Sequence, residues 1–152
     1  MRYIIGLGNS TMADDGVGLR IVEEIARRGL ERGFEAVAVA DEGTRLLFYI
    51  TRDTEKIVLV DAVDMGLPPG DWRLFKPEDV ETRKTGPGMS THEGDILKVL
   101  ALAKHLGYPL PPITILGIQP GLLGPGLELS PALEARFETY LEAALEEVRR
   151  EG

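Results

Sequence analysis

Apolar positions along the chain follow two rhythms that alternate. Short unbroken runs at residues 3–7, 34–40, 56–60 and 113–118 predict buried strands. Between them, the spacing changes to that of helices. Val17, Ile21, Val22 and Ile25 fall on one face of a helix over residues 17–28, with Arg20, Glu23, Glu24 and Arg27 elsewhere on it. A short helix is expected at 44–50 and another over 91–106, stopped by Gly107. Ser130 followed by Pro131 reads as an N-cap and first-turn proline. Beyond it Leu133, Phe137, Tyr140, Leu141, Ala144, Leu145 and Val148 trace one face of a last helix. Residues 72–75 follow a Pro-Pro-Gly turn and predict an edge strand or hairpin partner. Strands that alternate with helices imply an α/β protein, a mostly parallel twisted sheet of about five strands between two helical layers.

The 152 residues form one domain by size, and no linker or repeat divides them. Hydrophobic residues make up 43%, enough for a core, yet no apolar run is long enough to span a bilayer, so no membrane partner is expected. A net charge of −8 disfavours a polyphosphate backbone, and nucleic acid is set aside as a partner. With no cysteine, thiol nucleophiles, cysteine-ligated zinc and iron–sulfur clusters are excluded. The absence of cysteines and of a secretory signal makes the cytoplasm the expected location.

In an open parallel sheet, functional groups gather at the carboxyl ends of the strands. Three polar points are expected there: Asp14 and Asp15 in the glycine-bounded turn after the first strand, Asp61 with Asp64 after the third, and His92 at the start of a helix. Ser90 and Glu93 have the spacing of a capping box, which puts His92 in the first turn. The helix dipole there disfavours imidazolium and keeps a histidine available to a metal. Two carboxylates and an imidazole suit a divalent transition metal with positions left open. Plainer readings stand beside these: one of Asp14 and Asp15 as a helix cap, Asp61 closing a turn with Asp64, His105 as a structural residue in a last turn. The Gly6-x-Gly8 pair is not a dinucleotide fingerprint, because Thr11 stands where its third glycine belongs. The polar stretch 77–90 reads as a mobile loop beside the site.

Taken in order, G-L-G-N at 6–9, A-D-D-G-V-G at 13–18, D-E-G-T at 41–44, V-D-A-V-D-M-G at 60–66, S-T-H-E at 90–93 and G-I-Q-P at 117–120 resemble the hydrogenase maturation protease family. These endopeptidases trim the C-terminal tail from the large-subunit precursor of [NiFe] hydrogenases. The resemblance implies a phosphorylase/hydrolase-like three-layer fold and maps the family's metal-binding, catalytic trio onto Asp15, Asp61 and His92. Asp15 matches the second acidic position of the family's D-[DE]-G-x-G turn, which also accepts glutamate, so the shorter Asp15 sets its carboxylate differently. It further implies that nickel arrives with the precursor, and that the three side chains complete the shell of a substrate-borne ion. Either the metal polarises the carbonyl or a water, or a carboxylate such as Asp15 acts as general base. Two other readings stay open: a non-catalytic metal-sensing chaperone of a hydrogenase subunit, and a small-molecule hydrolase on the same fold. Precursor docking is expected around the 84–90 and 119–127 loops.

Overall fold

The computed structural model describes residues 1–81 and 91–151, with side chains at 80, 81 and 91–95 outside the description. Five strands form one sheet: β1 (Arg2–Leu7), β2 (Glu35–Ala40), β3 (Lys56–Ala62), β4 (Trp72–Phe75) and β5 (Ile113–Ile118), in the order β2-β1-β3-β5-β4. The first four in that order run parallel, and β4 pairs antiparallel with β5 at the edge. The sequence expectation of a mostly parallel α/β sheet between helices holds, including the edge position of β4. Helices α1 (Val17–Arg27), α2 (Pro77–Glu81), α3 (Thr91–His105), α4 (Pro131–Glu134) and α5 (Phe137–Arg149) supply the outer layers.

The strands alternate their side chains between two cores, because successive Cβ atoms point to opposite faces. Ile4, Val58, Val60, Leu116 and Ile118 pack with Val17, Ile21, Val22 and Ile25 of α1 and with Tyr140, Leu141 and Val148 of α5. Ile5, Leu7, Ile57, Leu59, Ile113 and Ile115 meet Leu46, Ile96, Val99, Leu100 and Ala103 on the other side. The near-continuous apolar runs in the sequence follow from this burial on both faces.

The short helix expected at 44–50 is a 3-10 helix, Gly43–Tyr49. Three local expectations are corrected. Strand β3 does not end before Asp61: Asp61 pairs with Gly117 and Ala62 with Ile118, so the acid is a strand residue with its carboxylate at the sheet's end. The last helix is broken at residues 135–136 into α4 and α5. The stretch expected as a loop from Pro77 begins with α2, while residues 82–90, including the Ser90 cap, lie outside the described residues.

Candidate active site

Helix α1 approaches the carboxyl ends of β1 and β3 more closely than a side chain would allow. A Cβ on Gly18 would stand 2.2 Å from the Val60 carbonyl oxygen and 2.8 Å from that of Leu7. That close docking carries the preceding 3-10 turn, Ala13–Gly16, with its two acids, onto the end of the sheet. All four residues of the turn are buried.

Gly8 lies at the centre of the arrangement. Its φ is +119°, and a Cβ there would meet the Asp15 carbonyl oxygen at 1.9 Å and the Asp61 Oδ1 at 3.7 Å. The next residue, Asn9, donates its backbone N–H to Asp15 Oδ2 at 3.0 Å. Asp61 Oδ1 in turn accepts the Ala62 N–H at 2.8 Å. The Gly8–Asn9 segment is thus flanked by the loops carrying two of the three expected site residues, and both acids are at most 8% exposed. Two non-glycine residues nearby have positive φ, Ala13 at +51° and Ala40 at +59°. Ala40 sits where the β1–β2 register shifts, and its carbonyl accepts the Gly8 N–H at 3.2 Å. Backbone strain of this kind, held by surrounding contacts, is common where a site is shaped.

Asp14 behaves differently from its neighbour. Its Oδ2 accepts the N–H groups of Gly121 and Leu122 at 2.8 and 2.9 Å and the Ser130 hydroxyl at 2.7 Å, while Oδ1 accepts the Ser130 N–H at 2.7 Å. Burial pushes its carboxyl up, but the hydrogen bonds from Ser130, Gly121 and Leu122 outweigh it and hold the group below the usual carboxylate range. Neither acid caps a helix through its side chain, against the plainer expectation for the pair. Ser130 occupies the N-cap position of α4, yet its hydroxyl is turned to Asp14 instead of the helix. The loop between them is also tied by Ala13 N–H to Gly126 O and by Gly126 N–H to Thr11 O, both at 2.9 Å, and exposes Leu122, Leu123 and Leu127.

Of the pair expected to close a turn together, Asp64 accepts the Gly66 N–H at 3.2 Å, while Asp61 Oδ1 accepts the Ala62 N–H. Below Asp61 a small apolar recess is lined by Leu7, Leu59, Val63, Phe75, Ile96, Leu97 and Ile115. Ile96 and Leu97 belong to α3, whose second residue is His92, so the start of this helix lies toward the Asp61 end of the sheet. The side chain of His92, the third expected site residue, lies outside the described residues. Among the described residues no three metal-capable side chains form a cluster.

The family model for hydrogenase maturation protease (HycI) matches residues 19–147. The chain belongs to the hydrogenase maturation protease family. Its family-level function is that of a [NiFe] hydrogenase maturation endopeptidase. Hydrogenase expression/formation protein HupD of Thiocapsa roseopersicina is 33% identical over 152 residues, covering 98% of this chain and 68% of the relative. The [NiFe] hydrogenase maturation protease HybD from Thermococcus kodakarensis shares the fold with a TM-score of 0.83 at 27% identity, over 97% of this chain and 99% of that one. The hydrogenase maturating endopeptidase HybD from Escherichia coli superposes with a TM-score of 0.80 at 27% identity, over 99% and 94%. The family model begins after Asp15, but these full-length likenesses include the acidic turn.

Sequence reasoning missed the clasp between Asp14 and Ser130 and the hydrogen bonds of Gln119, whose Oε1 accepts the Met65 and Leu67 N–H groups. The G-I-Q-P block was visible as a resemblance, but nothing in it indicated what its glutamine would hold.

Proposed function

We propose that this protein removes the C-terminal tail of a nickel-loaded [NiFe] hydrogenase large-subunit precursor, using Asp15, Asp61 and His92. The observation that carries this reading is the convergence of the Asp15 and Asp61 loops on Gly8 and Asn9, in a chain of the maturation protease family. Each carboxylate is oriented by a backbone N–H, from Asn9 and from Ala62 respectively. Oxygen and imidazole donors suit a borderline metal such as nickel. The ion belongs to the substrate, and the three side chains complete its shell when the precursor docks. The ion would supply Lewis acidity toward a carbonyl or a water; in the alternative the ion only positions the substrate, and Asp15, left off it, would serve as general base. Docking would use the 119–127 loop, where Leu122, Leu123 and Leu127 are exposed on a backbone already fixed to Asp14 and its turn.

The test is processing of the nickel-loaded precursor by Asp15→Asn, Asp61→Asn and His92→Ala, with circular dichroism as a check of folding. Each variant is expected to fold and to leave the precursor uncut. Normal cleavage by all three would overturn the assignment.

A further inference from the structure

The site reading uses Asp15 and Asp61 but leaves unexplained why a glutamine is buried immediately after β5. Gln119 is 7% exposed, and its carboxamide is engaged at both ends. Oε1 accepts the N–H groups of Met65 and Leu67 at 2.6 and 3.2 Å, and Nε2 donates to Asp64 Oδ1 at 3.2 Å. Its backbone joins the same loop further on: Gln119 N–H donates to Asp71 O at 2.8 Å, and Gly70 N–H donates to Gln119 O at 2.9 Å. The loop so held is the one that leaves Asp61.

Two residues later the chain takes hold of the other acidic loop. The Gly121 and Leu122 N–H groups bond Asp14 Oδ2, next to Asp15. Gly121 sits between the two loops: a Cβ on it would lie 3.0 Å from Pro69 Cβ and 3.6 Å from Asp14 Oδ2. Four consecutive residues, 119–122, therefore grip the loop after Asp61 at one end and the turn containing Asp15 at the other.

We propose that this strap sets the separation of the Asp15 and Asp61 carboxylates, with Gln119 as its positioning residue. The inference rests on the assignment of those two acids to the site. Gln119 is buried and acts through the loop it holds, whereas the docking proposed above uses the exposed leucines further along the 119–127 segment. The carboxamide accepts from two backbone N–H groups through Oε1 and donates to a carboxylate through Nε2, a division that neither a carboxylate nor an apolar side chain can make. A glutamate would keep the acceptor but turn an oxygen toward Asp64, placing like charges together. A leucine would leave the Met65 and Leu67 N–H groups without their acceptor. Either change lets the Asp61 loop move relative to the Asp15 turn.

Catalysis by groups from two loops is sensitive to such movement, since a misplacement of about 1 Å can cost about 100-fold in rate. The experiment compares single-turnover cleavage of nickel-loaded precursor by wild type, Gln119→Leu, Gln119→Glu and Gln119→Glu/Asp64→Asn, alongside precursor affinity and thermal melting. Expected are single-variant rates lower by about 10- to 100-fold, with affinity unchanged within about twofold and each protein folded at the assay temperature. The double variant removes the like-charge contact and is expected to recover much of the rate lost by Gln119→Glu. An active wild type matched by both single variants overturns the strap, as does a rate loss that only follows the unfolded fraction or the affinity. A wild type that leaves the precursor intact overturns the site assignment itself, and the strap's role with it.

Discussion

Asp14 and Ser130 are separated by 116 residues, yet Ser130 donates both its backbone N–H and its hydroxyl to the Asp14 carboxylate, each at 2.7 Å. The pair fastens the loop after β5 to the turn after β1, and the neighbouring acid, Asp15, is left to face Asn9. Two adjacent aspartates thus divide their work. One holds the fold together at the end of the sheet, and the other stands in the candidate site.

The Asp14 clasp predicts a particular acid sensitivity. Its folded pKa lies below the unfolded value, which is about 3.9. The unfolded chain therefore takes up the proton first as pH falls, and the stability from the clasp is present above about pH 4 and lost as pH drops through the folded value. Asp14→Asn turns an amide toward N–H donors and is expected to cost about 2 kcal/mol or more at pH 7. Urea unfolding at several pH values should show the gap from wild type narrowing below about pH 4. A gap of constant size across that range would contradict the account.

Gly8→Ala should be far more damaging than an alanine at another left-handed glycine. At Gly8 the new methyl would collide with the Asp15 carbonyl oxygen, whereas at Gly29, with φ of +67°, nothing lies within 4 Å of it. Gly29→Ala is expected to cost about 1–2 kcal/mol from backbone strain alone. Gly8→Ala must also displace the acidic turn, so loss of about 4 kcal/mol or more, with loss of processing, is expected from denaturation curves and a cleavage assay. Equal costs at the two positions would show that the close approach at Gly8 does not matter.

The opposite end of β3 offers a control remote from the site. Lys56, 2% exposed, donates to Arg150 O at 2.9 Å and lies 3.8 Å from Glu147 Oε2, itself on a 7% exposed residue. Burial pushes the Lys56 ammonium below its ordinary pKa. Lys56→Met leaves the buried Glu147 carboxylate with only the more distant Arg150 at 4.0 Å and should destabilise by about 2–3 kcal/mol, while Lys56→Met/Glu147→Leu should return to within about 1 kcal/mol of wild type or exceed it. Chemical denaturation measures both. Precursor cleavage by the double variant is expected to be normal.

What the sequence made legible follows from local physics. β1 and α1 could be read because one is an unbroken apolar run and the other places Val17, Ile21, Val22 and Ile25 on a single stripe, and both patterns survive in the two cores. The acids could be placed at strand ends for the same reason. Local pattern alone did not separate Asp14 from Asp15, and only the family resemblance singled out Asp15; the clasp that occupies Asp14 is contributed by Ser130, Gly121 and Leu122 from the far end of the chain. Ser130 stands at the N-cap of α4 before Pro131, as its sequence position expects, but its hydroxyl donates to Asp14 and makes no capping bond to the helix, a use that only the fold reveals. The strand residue Asp61 was expected just beyond β3, and it is the Gly117 partner on β5 that extends the ladder past it.

The proposed role of Asp15, Asp61 and His92 is to read a nickel ion carried by the precursor before the tail is cut. Its most direct test is the intact mass of a hydrogenase large-subunit precursor co-expressed with this protein or its His92→Ala variant, with and without nickel. The account predicts loss of a C-terminal peptide only when nickel and His92 are both present. Tail removal without nickel, or by the His92→Ala variant at the wild-type rate, would contradict it.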